Sequence, residues 1–309
     1  MKASRTLGRL LLLFAALCLM ILPISARTTV NPDADCSLTL TYAYGETAFE
    51  GLDISLHGIA RFEKDGSLIP EEAHTDHLPD LNAIASQEEW NEVASTVSAY
   101  LVANPLPESA KGTTDAEGKV SFAGLKPGIY LVSGAQGDME GGYCRFDAFC
   151  ISIPGLDGEE NWIYDVTANP KSVFHEVLPE PVEYTVIKLW KDTGFEEKRP
   201  EFVTVDLYKD RVFVESVRLD AENNWSYTWS APDDGAVWTA VEQEVPEDYF
   251  VLVEQDGNVF KVTNVHDGGN PPPPQTGDST QIYLIVIGCS VVGLVLVLVG
   301  FTGRKNKRK

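Results

Sequence analysis

Apolar and polar residues alternate over short runs in two regions of the chain, which is the pattern of half-buried strands in antiparallel sheets. A turn sequence, Asp115-Ala116-Glu117-Gly118, leads into one of these runs. The regions are separated near Pro179-Glu180-Pro181, and each has ordinary domain size. The pattern therefore predicts an all-β protein with two β-sandwiches in tandem. The predicted strands of the first region are 36–41, 53–57, 120–122, 129–132, 148–153 and 162–168.

One segment of the first region has helical periodicity instead. Ser86 and Glu89 have the spacing of a capping box, and the pattern ends before Pro105. The apolar residues between them fall on one face of a helix. We expect an inserted amphipathic helix laid over the first sandwich, rather than a ligand groove. These apolar residues are Trp90, Val93, Val97, Tyr100 and Leu101.

The N-terminal residues have the features of a secretory signal. Three basic residues precede an apolar run at 10–24, and the small pair Ser25-Ala26 ends it. An uncleaved membrane anchor would need about 20 apolar residues, and this run is shorter. We therefore predict a signal peptide over 1–26, cleaved near Ala26, and export of the remaining chain.

The C-terminal residues combine three features in a fixed order. A Pro-rich linker at 268–281 presents an extended Pro-Gln-Thr-Gly, an uncharged stretch at 282–301 is long enough to cross a bilayer as a helix, and a basic tail at 302–309 should stay cytoplasmic. This order resembles the sortase sorting signal, whose motif reads Leu-Pro-x-Thr-Gly. The resemblance implies that a sortase cleaves between Thr276 and Gly277, so that the precursor spans the membrane only transiently. The motif residues here are Pro273, Pro274, Gln275, Thr276 and Gly277, with Pro273 in the place of leucine.

The net charge of the chain argues against some classes of binding partner. The chain has a formal net charge of −22, and residues 27–276 carry 16 Lys and Arg against 45 Asp and Glu. Such an acidic excess keeps an extended surface protein soluble and argues against nucleic acid or anionic lipid as a partner. It does not define a binding site.

Three cysteines, Cys36, Cys144 and Cys150, lie in the part expected outside the cell, where a pair could oxidise. Cys144 and Cys150 read as members of one strand. They would then be too far apart for a disulfide unless a turn intervenes, because each strand residue advances about 3.3 Å. We take Cys36 and Cys150 as the candidate disulfide.

The second region, 183–267, resembles the B-type domain of collagen adhesins, which also occurs in Gram-positive pilins. The resemblance implies an immunoglobulin-like β-sandwich, but collagen binding does not transfer with a fold. It rests on the segments 184–190, 199–210, 224–227, 241–249 and 261–266.

Three polar residues of this region share strand faces with apolar neighbours, so each should point into an apolar layer. Burial would favour a neutral, nucleophilic Lys188 and a protonated Glu242 that relays protons while ammonia leaves Asn264. The product would be an internal Lys-Asn isopeptide bond, and the resemblance implies the same three roles. The alternative is an ordinary buried ion pair of Lys188 with Glu242, hydrogen-bonded to Asn264.

The first region, 31–175, resembles a pilin domain more loosely, through 36–41 and 124–131. Tyr42 and Ser133 stand where that family has the lysine and glutamate of an isopeptide bond, so we predict none here. The segment 162–171 resembles the pilin motif, with departures at Ala168 and Asn169. The resemblance implies that Lys171 accepts Thr276 of a neighbouring subunit. The alternative is an exposed linker lysine.

Few features indicate other chemistry. His74 and His77 flank one carboxylate, but nothing nearby completes a tetrahedral metal site, and we expect no metal or cofactor. No phosphate loop, serine nucleophile elbow or zinc spacing is present, so we do not expect an enzyme. Three hypotheses remain, all localised to the cell wall or a pilus: a pilus backbone subunit, a minor pilin or adhesin attached through Thr276 alone, and a wall-anchored spacer. The partners would be sortase and either neighbouring pilins or peptidoglycan, with no host ligand specified.

Overall fold

A computed structural model describes residues 29–74, 78–158, 161–178 and 180–266. The predicted signal peptide, sorting motif, membrane span and basic tail lie outside these residues. Within them the chain forms twenty-two strands, one α-helix (α1, Gln87–Ala103) and short 3₁₀ turns at Glu72–His74 and Glu196–Lys198. No helix in the described ranges has the length and apolar character needed to cross a membrane.

The name first sandwich denotes strands β1 to β15 together with α1, and the tandem arrangement of two sandwiches stays a prediction. The strands are β1 (Cys36–Thr41), β2 (Ala43–Tyr44), β3 (Thr47–Ala48), β4 (Asp53–Phe62), β5 (Leu68–Pro70), β6 (Ala110–Thr113), β7 (Lys119–Leu125), β8 (Gly128–Val132), β9 (Ala135–Met139), β10 (Gly142–Phe146), β11 (Phe149–Ile153), β12 (Gly155–Leu156), β13 (Trp162–Ile163), β14 (Asp165–Ala168) and β15 (Ser172–Glu176).

Three sheets surround the main core of this sandwich. Their strand orders are β14-β1-β7, β15-β10-β9 and β11-β8-β4-β5, with β6 paired to β4. Strand β1 contributes alternate side chains to this core: Leu38 and Leu40 are fully buried, while their neighbours are half-buried. The predicted strand 162–168 is interrupted at Tyr164, since Trp162 pairs with Leu156 whereas β14 pairs in parallel with β1.

Strands β16 to β22 build the second sandwich. One sheet has the order β19-β16-β22-β21 and the other β18-β17-β20. The first and last strands, β16 and β22, are parallel neighbours in the same sheet. The strands are β16 (Val182–Lys191), β17 (Phe202–Lys209), β18 (Val212–Asp220), β19 (Ser226–Ala231), β20 (Trp238–Glu242), β21 (Tyr249–Asp256) and β22 (Val259–His266).

The helix begins at the predicted capping box. Ser86 Oγ accepts a hydrogen bond from the Glu89 backbone N–H, and the Glu89 carboxylate accepts one from the Ser86 backbone N–H. Val93, Val97 and Leu101 pack into a core with residues of β4 and β8. The helix also contacts β20 and β21 of the second sandwich. The described residues therefore cluster as one compact unit, and the domain boundary near 179–181 stays a prediction.

The turn before β7 forms as predicted and depends on its glycine. Gly118 has φ +71° and donates to the Asp115 carbonyl oxygen, and a Cβ there would clash with the Tyr42 carbonyl oxygen. Gly118→Ala is expected to lower the free energy of unfolding by about 3 kcal/mol, from left-handed strain and the clash together. Gly141 is the matched control, because it has φ +82° and open space around it. Gly141→Ala should cost only about 1 kcal/mol. Denaturant unfolding measures both, and equal losses would contradict the clash.

Candidate functional site

Three polar side chains meet in the interior of the second sandwich. Lys188 lies on β16, and Asn264 lies on the neighbouring strand β22, in register with Trp190. Glu242 ends β20 in the opposite sheet, where it is in register with Val205. The parallel pairing of β16 with β22 brings the first two together, and the stacking of the sheets brings the carboxylate to both.

The Glu242 carboxylate lies between the other two groups. Asn264 Nδ2 donates to Glu242 Oε1 over 2.8 Å, and Lys188 Nζ lies 3.3 Å from Glu242 Oε2. Lys188 Nζ also donates to the carbonyl oxygens of Leu189 and Val262, over 3.1 and 3.3 Å. The side chains of Lys188 and Glu242 are both 0% exposed. Solvent therefore does not reach the carboxylate or the amine.

Two acceptor atoms of the site are not satisfied. Glu242 Oε2 is in ion-pair range of Lys188 Nζ but accepts no hydrogen bond of good geometry, and Asn264 Oδ1 accepts none within the part of the chain that the structure describes. Buried acceptors without donors are costly. The arrangement is therefore poorly satisfied as a resting ion pair.

Burial changes the protonation of the pair. Removal from water lowers the pKa of Lys188 to about 8, against the opposing effects of Glu242 and Asp192. The same loss of hydration raises the pKa of the Glu242 carboxyl, against the opposing charge of Lys188. Both shifts favour the neutral forms. A neutral amine is a nucleophile, and a protonated carboxyl is a general acid.

A charged network that sequence reasoning missed adjoins the site. Arg199 forms a two-pronged ion pair with Asp192, through Nε at 2.7 Å and Nη2 at 2.6 Å, and Tyr249 donates its hydroxyl to Asp192 over 3.1 Å. The Arg199 guanidinium lies 5.5 Å from the centre of the Trp190 ring, and Lys188 Nζ lies 4.3 Å from it. The feature of the sequence that could have indicated this network is Asp192, an acidic residue that directly follows β16.

The remaining predicted site residues lie elsewhere. Lys171 is exposed between β14 and β15, directly after the buried Pro170. The sorting-motif residues Pro273, Pro274, Gln275, Thr276 and Gly277 fall outside the described residues, as does His77. The described residues contain no cluster of His, Cys, Asp and Glu that could hold a metal ion.

The predicted Cys36–Cys150 disulfide is not formed. Both are free thiols, and burial raises the pKa of Cys36 to about 11 and that of Cys150 to about 12. Cys36 lies in the main core of the first sandwich, whereas the alternation of β11 turns Cys150 to the other face, towards α1. The prediction that Cys144 and Cys150 share a strand was also wrong, because they lie on β10 and β11.

Comparison with known proteins places this site in a family. Residues 184–265 match the family described as Cna protein B-type domain. A collagen adhesin of Staphylococcus aureus is 30% identical over 109 residues, which are 35% of this chain. The aligned part is 9% of the length of that relative. The match therefore concerns one domain and not the whole adhesin.

Three solved structures are reported as similar to this chain at low TM-scores. A single B repeat unit of the S. aureus collagen-binding surface protein is 16% identical, with a TM-score of 0.27 over 75% of this chain and 98% of that one. The full-length major pilin SpaD of Corynebacterium diphtheriae is 12% identical, with a TM-score of 0.29 over 78% and 100%. The shaft pilin SpaA of Lactobacillus rhamnosus GG is 14% identical, with a TM-score of 0.24 over 77% and 100%. These scores are low, so the assignment rests on the sequence match: residues 184–265 of this chain belong to the Cna protein B-type domain family.

Proposed function

We propose that this chain is a pilin-like structural protein of the bacterial surface, whose second sandwich forms an internal bond between Lys188 and Asn264. One observation carries the proposal: a buried carboxyl group, Glu242, contacts both the amine and the amide nitrogen. A resting ion pair would not require the carboxyl to contact the amide nitrogen as well. The bond-forming reaction does.

The reaction is an amide exchange. Neutral Lys188 Nζ attacks the Asn264 side-chain carbonyl carbon, and protonated Glu242 gives its proton to Nδ2, so that the C–Nδ2 bond breaks and ammonia leaves. The Glu242 carboxylate then takes the surplus proton from Nζ, which is left as an amide nitrogen. One amide replaces another, and neither oxidant nor cofactor is needed. Glu242 ends in its starting state, and the event happens once per chain.

The positions of the two linked residues suggest a mechanical role. Lys188 is on the first strand of the sandwich and Asn264 is on the last. Because β16 and β22 are parallel neighbours, tension applied at the two ends of the domain would shear them past each other. A covalent bond between them prevents that motion. This suits a protein that bears load outside the cell.

The attachment of the chain is proposed from the sequence. Sortase would join Thr276 to an amine, and the exposed amine of Lys171 on a neighbouring copy would make a head-to-tail fibre. The alternative is a minor pilin or wall-anchored adhesin attached to peptidoglycan through Thr276 alone. The exposure of Lys171 after β14 is compatible with the fibre.

Intact mass under reducing conditions tests the internal bond. Recombinant residues 27–276 are expected to be lighter than their sequence by one ammonia, whereas Glu242→Ala should keep the full mass because its proton relay is absent. Glu254→Ala, at an exposed glutamate of β21, is the matched control and should lose ammonia like the wild type. Full mass in the wild type would leave Lys188 as a buried ion-pair lysine.

A further inference from the structure

Helix α1 of the first sandwich docks on the second sandwich beside the site. Thr96 Oγ1 accepts a hydrogen bond from the Val253 backbone N–H over 2.8 Å, and both residues are buried. Ala99 is buried in a cluster with Val241 and Val253, against which Ala103, Tyr208 and Val251 also pack. This face of α1 is separate from the face that holds Val93, Val97 and Leu101 in the first sandwich.

The docked face touches one strand from each sheet. Val241 belongs to β20 and Val253 to β21, and each of these strands is the last in the order of its sheet. Val241 directly precedes Glu242, and Val251 of β21 is in register with Asn264. The helix therefore joins the two sheets at the edge next to the carboxyl group and the amide. Alternation along β20 would turn Val241 to the opposite side from Glu242, and its burial agrees with coverage by α1.

A second contact holds the two sandwiches together. The Leu178 backbone N–H donates to Asp233 Oδ2 over 2.8 Å, and Asp233 also interacts with Tyr143 of β10. These contacts hold the second sandwich in place at a point of the interface away from α1. Both contacts join residues far apart in sequence.

We propose that α1 is a positioning element for the Lys188–Asn264 bond: Thr96 and Ala99 fix the spacing of the two sheets and close the adjoining edge to water, so the bond forms at full rate only when the first sandwich is docked. This inference rests on the proposed function. Glu242 must reach across from one sheet to groups on the other, and misplacement by about 1 Å can cost a reaction about a hundredfold. Loosening the helix would separate the carboxyl from its two partners.

The same loosening would change the pH dependence of the reaction. Lys188 faces Glu242, Asp192 and Arg199, and burial is the largest cause of its lowered pKa. Glu92 of α1 interacts with Lys191 and Glu254 instead. Water entering at the edge would return the amine towards its ordinary pKa, so a larger fraction would be protonated near neutral pH. The rate would then reach its maximum at higher pH.

The test follows bond formation in the full exported part, 27–276, recovered unfolded from inclusion bodies and diluted from denaturant into buffers of different pH. Intact mass against time gives the rate of ammonia loss. Thr96→Val removes the acceptor for Val253 N–H, and Ala99→Gln forces a larger polar side chain into the cluster. Each is expected to slow the reaction about tenfold or more and to move its pH profile upward by about one unit. Asn91→Ala, on the exposed side of α1, is the control and should match the wild type.

The outcomes separate the two proposals. Ammonia loss in the wild type, with unchanged rate and pH profile in folded Thr96→Val and Ala99→Gln, would overturn the role of α1 and leave the internal bond standing. A purely structural role would lower the unfolding midpoint without moving the pH profile, and that result would also overturn it. A wild type of full mass would overturn the internal bond and this inference with it. Near-ultraviolet circular dichroism shows which variants are folded.

Discussion

Lys188→Met is expected to lower the unfolding temperature of the second sandwich by about 15 °C. The bond would close a loop of about 75 residues, and loop closure of that size contributes about 4 kcal/mol by the chain-entropy estimate. A domain of this size shifts by several degrees per kcal/mol. Methionine fills the space of the lysine stem and removes a buried amine, so part of the loss is offset. Differential scanning calorimetry measures the shift.

Two control variants separate the effect of losing the bond from the effect of losing the lysine side chain. Lys191→Met changes an exposed lysine of the same strand and is expected to leave the unfolding temperature within a few degrees of wild type. Glu242→Gln keeps the lysine but removes the relay, and its unfolding temperature should fall about as far as that of Lys188→Met because neither variant can form the bond. If Lys188→Met unfolded with the wild type while the wild type had lost ammonia, the bond would have no stabilising role.

Lys171→Ala is expected to abolish the high-mass ladder of covalent polymers in cells that express the protein with its sortase. The reason is chemical: without this amine, the acyl group of Thr276 on the next subunit has no acceptor within the fibre. Transfer to the cell wall would continue, so the monomer should remain attached. Immunoblotting of cell-wall extracts after boiling in detergent measures the ladder.

The matched control is Lys119→Ala, which removes another exposed lysine near the same sheet. It should leave the ladder intact. Thr276→Ala should remove both the ladder and the wall attachment. A ladder that persists in Lys171→Ala would contradict the pilus backbone and favour the protein attached through Thr276 alone.

Local sequence was sufficient for α1 and for six strand segments of the first sandwich, whereas eight of its strands were not predicted: β2, β3, β5, β6, β9, β10, β12 and β15. Strands alternate with a period of two, so β1, β7, β8 and β11 were expected close to where they lie, whereas β4 extends five residues beyond its predicted end at 57. The capping box at Ser86 and Glu89 depends on residues three apart and could be predicted without any tertiary information. Strand ends were less certain, since the break at Tyr164 arises from pairing with two different partners.

The polar groups of the site could also be named from sequence. Lys188, Glu242 and Asn264 stand among apolar strand neighbours, and a polar residue on a buried face needs a reason to be there. The alternation of apolar and polar residues could not predict the distances between these three side chains. The 2.8 Å contact of Asn264 with Glu242 requires the pairing of β16 with β22 and the stacking of a second sheet. Both are decided by residues far apart along the chain.

The sequence by itself determined the all-β character, the positions of α1 and of several strands, the family resemblance of 184–265 and the three polar candidates, because each depends on local periodicity or on a contiguous motif. Only the tertiary structure decided that Cys36 and Cys150 face different cores, that Asp192 and Arg199 adjoin the site, and that α1 joins the two sheets beside Glu242. The apolar stripe of a helix predicts that this face of the helix will be buried. Its second face, with the small residues Thr96 and Ala99, acquires a partner only when the two sandwiches pack, and that packing is a property of the whole chain.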